Sequence, residues 1–262
     1  MKKPIERFIL KIFRMINLLV PYWGKGRKVI LCYHSIDTTK WEFSTSKTSF
    51  ENQIKLLKQE FNFVTLEEII SSKSSKSEIA ITFDDAYESF KKALPILKKL
   101  NIPVALFVTG KFDKTKASKL DSRKPLLKEA ELLKLNYDNL TFGYHTANHD
   151  DLRSLTEEEI EFEINHSKKA TELKLGKKLN YFAYPFGFYD KRVISLVKAS
   201  NYKAAFTTNA GFLKTRNKFL IPRFCVGNNL TAKDLLTLLT PLGMLYLQGI
   251  FLLYRLKKNI SK

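Results

Sequence analysis

Six short apolar runs divide the chain: KVILCY (28–33), IAITF (79–83), VALFV (104–108), LTFGY (140–144), YFAY (181–184) and AAFTT (204–208). They are short, rich in β-branched and aromatic residues, and lack the in-out alternation of a half-exposed strand. Such runs predict strands covered on both faces. The intervals between most of them carry helical periodicity. Thr48 with Glu51, Thr65 with Glu68 and Thr156 with Glu159 have capping-box spacing, which predicts helices starting near 49, 66 and 157. ESFKKALPILKKL is helical, with Pro95 as a kink or break. Asp190 is placed to cap a helix beginning near Lys191. Strand-then-helix units repeated in this way predict a parallel sheet covered by helices, either an open doubly wound sheet or a barrel. SSKSSKSE (71–78) is a polar loop, and the basic stretch 109–124 is long enough to be a rim or lid.

Both ends depart from this rhythm. In the N-terminal segment Phe8, Ile12, Met15 and Leu19 recur at helical spacing, while Lys11 and Arg14 interrupt the apolar run. A cleaved secretory leader would not be interrupted there, and no A-x-A site follows. A basic amphipathic helix lying on a membrane surface fits better. Near the other end, Leu235 to Tyr254 is free of charge and long enough to span a bilayer, but Pro241, Gly243, Gln248 and Gly249 favour a surface or re-entrant helix. The division expected is therefore 1–25, a basic amphipathic helix; 26–230, a catalytic domain; and 231–262, a hydrophobic and basic membrane-associating segment.

The formal net charge is +19 over 262 residues. Eight Lys or Arg against one acid, Glu6, fall within residues 1–28, and four against none within 255–262. Basic flanks of this kind favour an anionic membrane surface, on the cytoplasmic side of an inner membrane. Nucleic acid is not the expected partner, because no zinc-finger spacing, aromatic RNP run or recognition-helix pattern is present. Two cysteines far apart, Cys32 and Cys225, do not suggest a disulfide framework.

Candidate chemistry collects where the strands end. The run 79–83 leads into two adjacent carboxylates, Asp84 and Asp85, which repel each other and are costly to bury without a cation or a shared proton. His145 and His149, two of only four histidines, follow the run 140–144 in YHTANHDD. His34 follows 28–33, and Pro185, Phe186 and Gly187 follow 181–184. In parallel α/β folds the carboxyl ends of the strands share one side, so these groups are able to converge. Two imidazoles and one carboxylate make a three-ligand set that leaves positions open for water and substrate. One Asp would bind the cation, and the other would stay ionised and take a proton from the attacking water. His166 reads as part of a solvated helix face.

TFDDA (82–86) followed by HTANH (145–149) resembles the first two motifs of the polysaccharide deacetylases, the NodB-homology carbohydrate esterases. FAYPFGFYD (182–190), VILCYHSI (29–36) and IPRFCV (221–226) resemble further elements of the branch that deacetylates poly-N-acetylglucosamine. The resemblance covers roughly residues 28–227. It implies a distorted (β/α)7 barrel and one divalent ion, usually Zn2+ with Co2+ or Ni2+ as alternatives, held by Asp85, His145 and His149. It further implies Asp84 as general base, and backbone N–H groups near Tyr184, Pro185, Phe186 and Gly187 at the oxyanion. The substrate implied is an N-acetylhexosamine in an envelope polysaccharide or lipid-linked sugar. The glycine expected after the Asp pair is Ala86 here, a small change expected to fit. No histidine follows His166 to supply the general acid that many members place on a late strand; the resemblance to the poly-N-acetylglucosamine branch implies His34, the histidine of YH at a strand end, in that role. Arg223 would either steady Asp84 or form a surface ion pair. The alternatives are an amidase or esterase of the same fold acting on another acyl group, and a catalytically silent glycan-binding protein.

Overall fold

The computed structural model of the chain describes residues 4–19, 26–111, 120, 124–213, 217–228 and 230–260. Most of the basic loop 109–124 lies outside them, as do Lys2 and Lys3. The strands are β1 (Lys28–Tyr33), β2 (Ser35–Ile36), β3 (Ser44–Thr45), β4 (Asn62–Phe63), β5 (Glu78–Phe83), β6 (Val104–Val108), β7 (Leu140–Tyr144), β8 (Tyr181–Ala183), β9 (Ala204–Phe206) and β10 (Phe224–Cys225). The helices are α1 (Pro4–Leu19), α2 (Lys47–Glu60), α3 (Leu66–Ser71), α4 (Phe90–Leu100), α5 (Glu129–Leu133), α6 (Glu157–Glu161), α7 (Ser167–Leu175), α8 (Lys191–Ala199), α9 (Ala232–Leu238) and α10 (Pro241–Ile260).

Seven parallel strands follow one another in the order β10-β1-β5-β6-β7-β8-β9, with β4 paired to the start of β5. The path closes irregularly. Phe206 bridges Ile221, and the Thr207 N–H donates to the Ile221 carbonyl at 2.8 Å. From Ile221 the chain runs on into β10, which lies in register with β1. This is the distorted (β/α)7 barrel expected from the sequence. Tyr33 pairs with Phe83, Phe83 with Leu106, and Val108 with Tyr144, so β1 and β5 end level with each other, and β6 and β7 end level two residues further on. Register alone therefore brings the residues after these strands to one rim.

Two apolar layers hold the barrel. Outward positions such as Leu31, Tyr33, Ile81, Phe83, Leu106 and Val108 pack under the helices in the larger core. The alternate positions Ile30, Ala80, Ala105, Ala183 and Ala204 form a second cluster with Phe107 and Phe206. Small residues make room for the inner rings: a Cβ on Gly143 would meet the Phe107 ring at 2.5 Å.

The capping boxes at Thr65–Glu68 and Thr156–Glu159 form as expected, and Asp190 caps α8 by accepting from the Val193 N–H. The box at Thr48–Glu51 does not form. Ser46 accepts from the Ser49 N–H and starts α2 at Lys47, leaving Glu51 to pair with Lys55 at 2.7 Å. Pro95 is accommodated inside α4, which runs on to Leu100.

The C-terminal run is not one helix. α9 ends at Leu238, and α10 restarts at Pro241, a residue suited to a first helical turn. No helix among the described residues is long and apolar enough to cross a membrane. Nor does the domain stop at 230, since Leu235, Leu238, Leu239 and Met244 are buried in the larger core. The two helices meet at Gly243, where a Cβ would run into the Thr237 carbonyl oxygen and the Leu238 backbone. Gly243→Ala is expected to cost about 1–3 kcal/mol by overpacking, measured as a lower urea midpoint at unchanged slope.

Candidate metal centre and active site

The rim gathers the predicted residues. His34, Asp84, Asp85, His145, His149, Tyr184 and Phe186 line a single cavity of about 710 Å³. Gly187 lies just behind it. It has φ +70°, and a Cβ there would collide with Thr208, so the turn requires glycine.

Asp84 is ionised by design of the barrel interior. Arg223, fully buried, donates to both carboxylate oxygens at 2.7 Å, and its Nε donates to the Thr207 carbonyl at 3.1 Å. The guanidinium lies over the Phe107 and Phe206 rings at 5.3 and 5.9 Å. Of the two roles open to Arg223, this geometry selects the buried one. Burial alone would raise the Asp84 pKa, but the Arg223 guanidinium overrides that and holds the carboxyl far below the usual carboxylate range.

Asp85 has no such partner. Its Oδ1 is buried and makes no hydrogen bond, and burial, then the Asp84 charge, pushes its pKa well up. Oδ1 stands 3.5 Å from Nε2 of both His145 and His149. Two ligand atoms at about 2.0–2.1 Å from one tetrahedral ion stand about 3.4 Å apart, so these separations suit a shared cation. The His145 Nδ1 lies 2.7 Å from the Ala183 carbonyl, which fixes the proton on that nitrogen and turns Nε2 toward Asp85 as an acceptor. Burial lowers the pKa of both imidazoles, keeping them in the neutral form that a ligand needs. The orphaned carboxylate oxygen and the neutral nitrogens fit a divalent ion. Cys32, His34 and Asp84 also stand within 4.8 Å of one another. A cation there would face the Arg223 guanidinium, which already holds both Asp84 oxygens.

The backbone around the site is strained. Asp85, Ala86, Thr146, His149 and Phe186 all have φ between +53° and +69°. The other non-glycine residues of this kind among those described are Asn101 and Asn201, a type that tolerates the left-handed region. Ala86 therefore fits in volume but occupies a conformation that glycine enters more easily.

The oxyanion stretch narrows. Pro185 has no N–H, the Tyr184 N–H donates to the Phe206 carbonyl, and the Gly187 N–H donates to the Tyr184 carbonyl. The Phe186 amide is the one in this stretch that these bonds do not use. His34 lies at the rim beside Phe43 and Trp41, with ring centroids 4.8 and 5.8 Å away. Burial holds its pKa down to about 4, with Asp84 pulling the other way. His166 is exposed on its helix, as expected.

Several participants were not foreseen. Glu163, buried on a π-helical turn (Phe162–His166), accepts from the Ala147 and Asn148 N–H groups at 2.9 Å and from the Asn148 side chain. It thereby shapes the loop that carries both histidines. Trp41, Phe43 and Tyr87 form an aromatic cavity wall. That wall is pinned from behind by buried Lys124, which donates to Asp37 at 2.5 Å, Thr39 at 2.8 Å and Ser44 at 3.0 Å. A lysine in a basic loop and an Asp in SIDTTK carry no sequence signal for this pairing.

The rim thus sets an Asp-His-His group able to hold a cation beside an aspartate held by an arginine. The polysaccharide deacetylase profile matches residues 71–205, which include Asp84, Asp85, His145 and His149. The chain belongs to the polysaccharide deacetylase family. Among relatives, the poly-β-1,6-N-acetyl-D-glucosamine N-deacetylase of Staphylococcus aureus is 28% identical over 200 residues, 71% of this chain and 69% of that protein. YxkH of Bacillus subtilis is 26% identical over 189 residues, 70% of this chain and 64% of that one. The chain thus matches about two thirds of the length of these curated relatives. Among solved structures, the Streptococcus pyogenes deacetylase PplD, in complex with acetate, has a TM-score of 0.72 at 23% identity, covering 83% of this chain and 100% of that one. IcaB from Ammonifex degensii has a TM-score of 0.66 at 22% identity, covering 78% and 93%.

Substitutions at two positions test this reading of the site. Arg223→Met is expected to destabilise the fold by about 3–5 kcal/mol in urea denaturation, because it strands a buried carboxylate. Ala86→Gly is expected to change stability by less than about 1 kcal/mol, whereas Ala86→Val should cost about 2–4 kcal/mol by placing a β-branched side chain in the left-handed region.

Proposed function

We propose that this protein is a metal-dependent N-deacetylase that hydrolyses the acetamido group of an N-acetylhexosamine in a bacterial envelope polysaccharide or a lipid-linked sugar. The observation that carries the proposal is Asp85 Oδ1, buried and unpaired 3.5 Å from Nε2 of His145 and His149, beside an aspartate kept ionised by Arg223. The N,N,O donor set suits zinc and accommodates cobalt or nickel. When bound, a divalent ion would polarise the acetyl carbonyl and acidify the attacking water.

The chain's own residues do the rest. Asp84, ionised at neutral pH and fixed by two hydrogen bonds, accepts the proton that water gives up as its oxygen adds to the carbonyl carbon. The Phe186 N–H serves the developing oxyanion. Collapse of the tetrahedral adduct breaks the C–N bond, and the departing amine needs a proton. His34 is the candidate donor. With a pKa of about 4 it is neutral at the start of the cycle, so it is loaded during turnover. A ring nitrogen of His34 lies within 4.8 Å of an Asp84 oxygen, which makes the water-derived proton its source. The aromatic wall of Trp41, Phe43 and Tyr87 offers flat apolar faces to a sugar ring. The S. aureus relative, named for poly-β-1,6-N-acetyl-D-glucosamine, supports that polymer as the first substrate to try.

The test pairs metal content with acetate release from a poly-N-acetylglucosamine oligomer and from a polyprenyl-phosphate N-acetylhexosamine. Asp84→Asn should keep one metal per chain and lose about 10²–10⁴-fold in acetate release. His149→Ala should lose the metal. Wild type that holds no zinc, cobalt or nickel would overturn the metal assignment. Wild type that binds metal yet cleaves neither donor would point instead to another acyl substrate.

A further inference from the structure

We propose that α1 and α10 together form a docking face for an anionic lipid surface. α1 is not a loose appendage. Leu10 is buried, Phe13 packs edge-on against Tyr246 at 5.6 Å between ring centroids, and the Arg14 guanidinium pairs with Asp234 of α9. These contacts seat one face of α1 on α9 and α10. The opposite face carries Phe8, Ile12 and Met15, spaced i, i+4, i+7, with 63%, 39% and 66% of their surface exposed. Lys11 is exposed at the edge of that stripe.

α10 repeats the arrangement. Met244 is buried toward the body, while Leu245 and Ile250 are 65% and 45% exposed. Two helices in contact therefore each leave large apolar side chains in water, which a soluble surface seldom keeps without a partner.

Charge selects the occupant. Apart from the Arg14 that pairs with Asp234, the α1 sequence carries Arg7 and Lys11 against Glu6, and the α10 sequence carries Arg255, Lys257 and Lys258 against no acid. A second copy would bring the same positive sign to the contact and be repelled. Anionic lipid headgroups reverse that sign, and apolar side chains sink into the layer beneath them. Since neither helix is long and apolar enough to cross a membrane, the helices lie on it. This inference does not depend on the deacetylase chemistry.

The experiment is flotation of the full chain with phosphatidylcholine vesicles, with and without phosphatidylglycerol, alongside sedimentation velocity without lipid. Wild type should float with the phosphatidylglycerol vesicles and lose most of that binding at high salt. The double variant Phe8→Glu with Met15→Glu, and separately Leu245→Glu, should bind at least about tenfold more weakly, with unchanged metal content and melting temperature. Leu173→Glu, at an 84% exposed leucine on α7, should bind as wild type does. The proposal is overturned if wild type does not float, if it floats equally with neutral vesicles, or if Leu173→Glu weakens binding as much as the helix variants. It is equally overturned if wild type dimerises without lipid and Phe8→Glu with Met15→Glu makes it monomeric.

Discussion

The site depends on one ion pair buried in the barrel interior, between Arg223 and Asp84. Arg223 enters the interior from the strand that closes the ring, lies over Phe107 and Phe206, and meets Asp84 with two hydrogen bonds. A buried ion pair is poor value as a stabiliser, because both charges lose their water. Its effect here is positional. The inner alanines and Gly143 leave the space, the aromatic rings accept the cation's face, and the carboxylate is held ionised with a fixed direction. Without Arg223, burial would favour the neutral acid, and Asp84 would have no lone pair ready for a proton.

Asp85 shows what the same environment does to a carboxylate left uncompensated. The two aspartates are neighbours in sequence and equally buried, yet the fold pushes their protonation in opposite directions. Such divergence between adjacent groups marks different roles. The left-handed backbone at Asp85 and Ala86 is how the chain achieves it, since an extended continuation would send the two side chains to opposite sides of the strand. The same device recurs at His149 and Phe186. Strain is thus spread over three separate strand ends around one cavity, and the paired strands beneath hold it in place.

This explains which parts of the molecule were legible in the sequence. The strands were legible because a doubly covered strand is a continuous apolar run, and the rim residues because they follow such runs directly. The Asp pair announced its own electrostatic problem. The partner that solves half of it, Arg223, is 139 residues away, and nothing local separates a buried arginine from a surface one. Glu163 and Lys124 were hidden for the same reason: each looks like one more charge in a charged segment, and only tertiary structure removes its water. The strained φ angles had a faint signal, the glycine expected where Ala86 stands. The helix start at Lys47 was misplaced because Ser46 competes with Thr48 for the capping role, and spacing alone does not rank them.

The ends of the chain carry the last constraint. A division at 230 looked natural because the apolar run beyond it resembles a separate anchor. Yet α9 and the start of α10 fill the larger core, and α1 is tied to them through Arg14 and Phe13. The terminal helices therefore pack into the same core as the barrel. Whatever the exposed stripe of α1 rests on sets the orientation of the whole barrel, and with it the direction from which a substrate enters the cavity between Trp41 and Phe186.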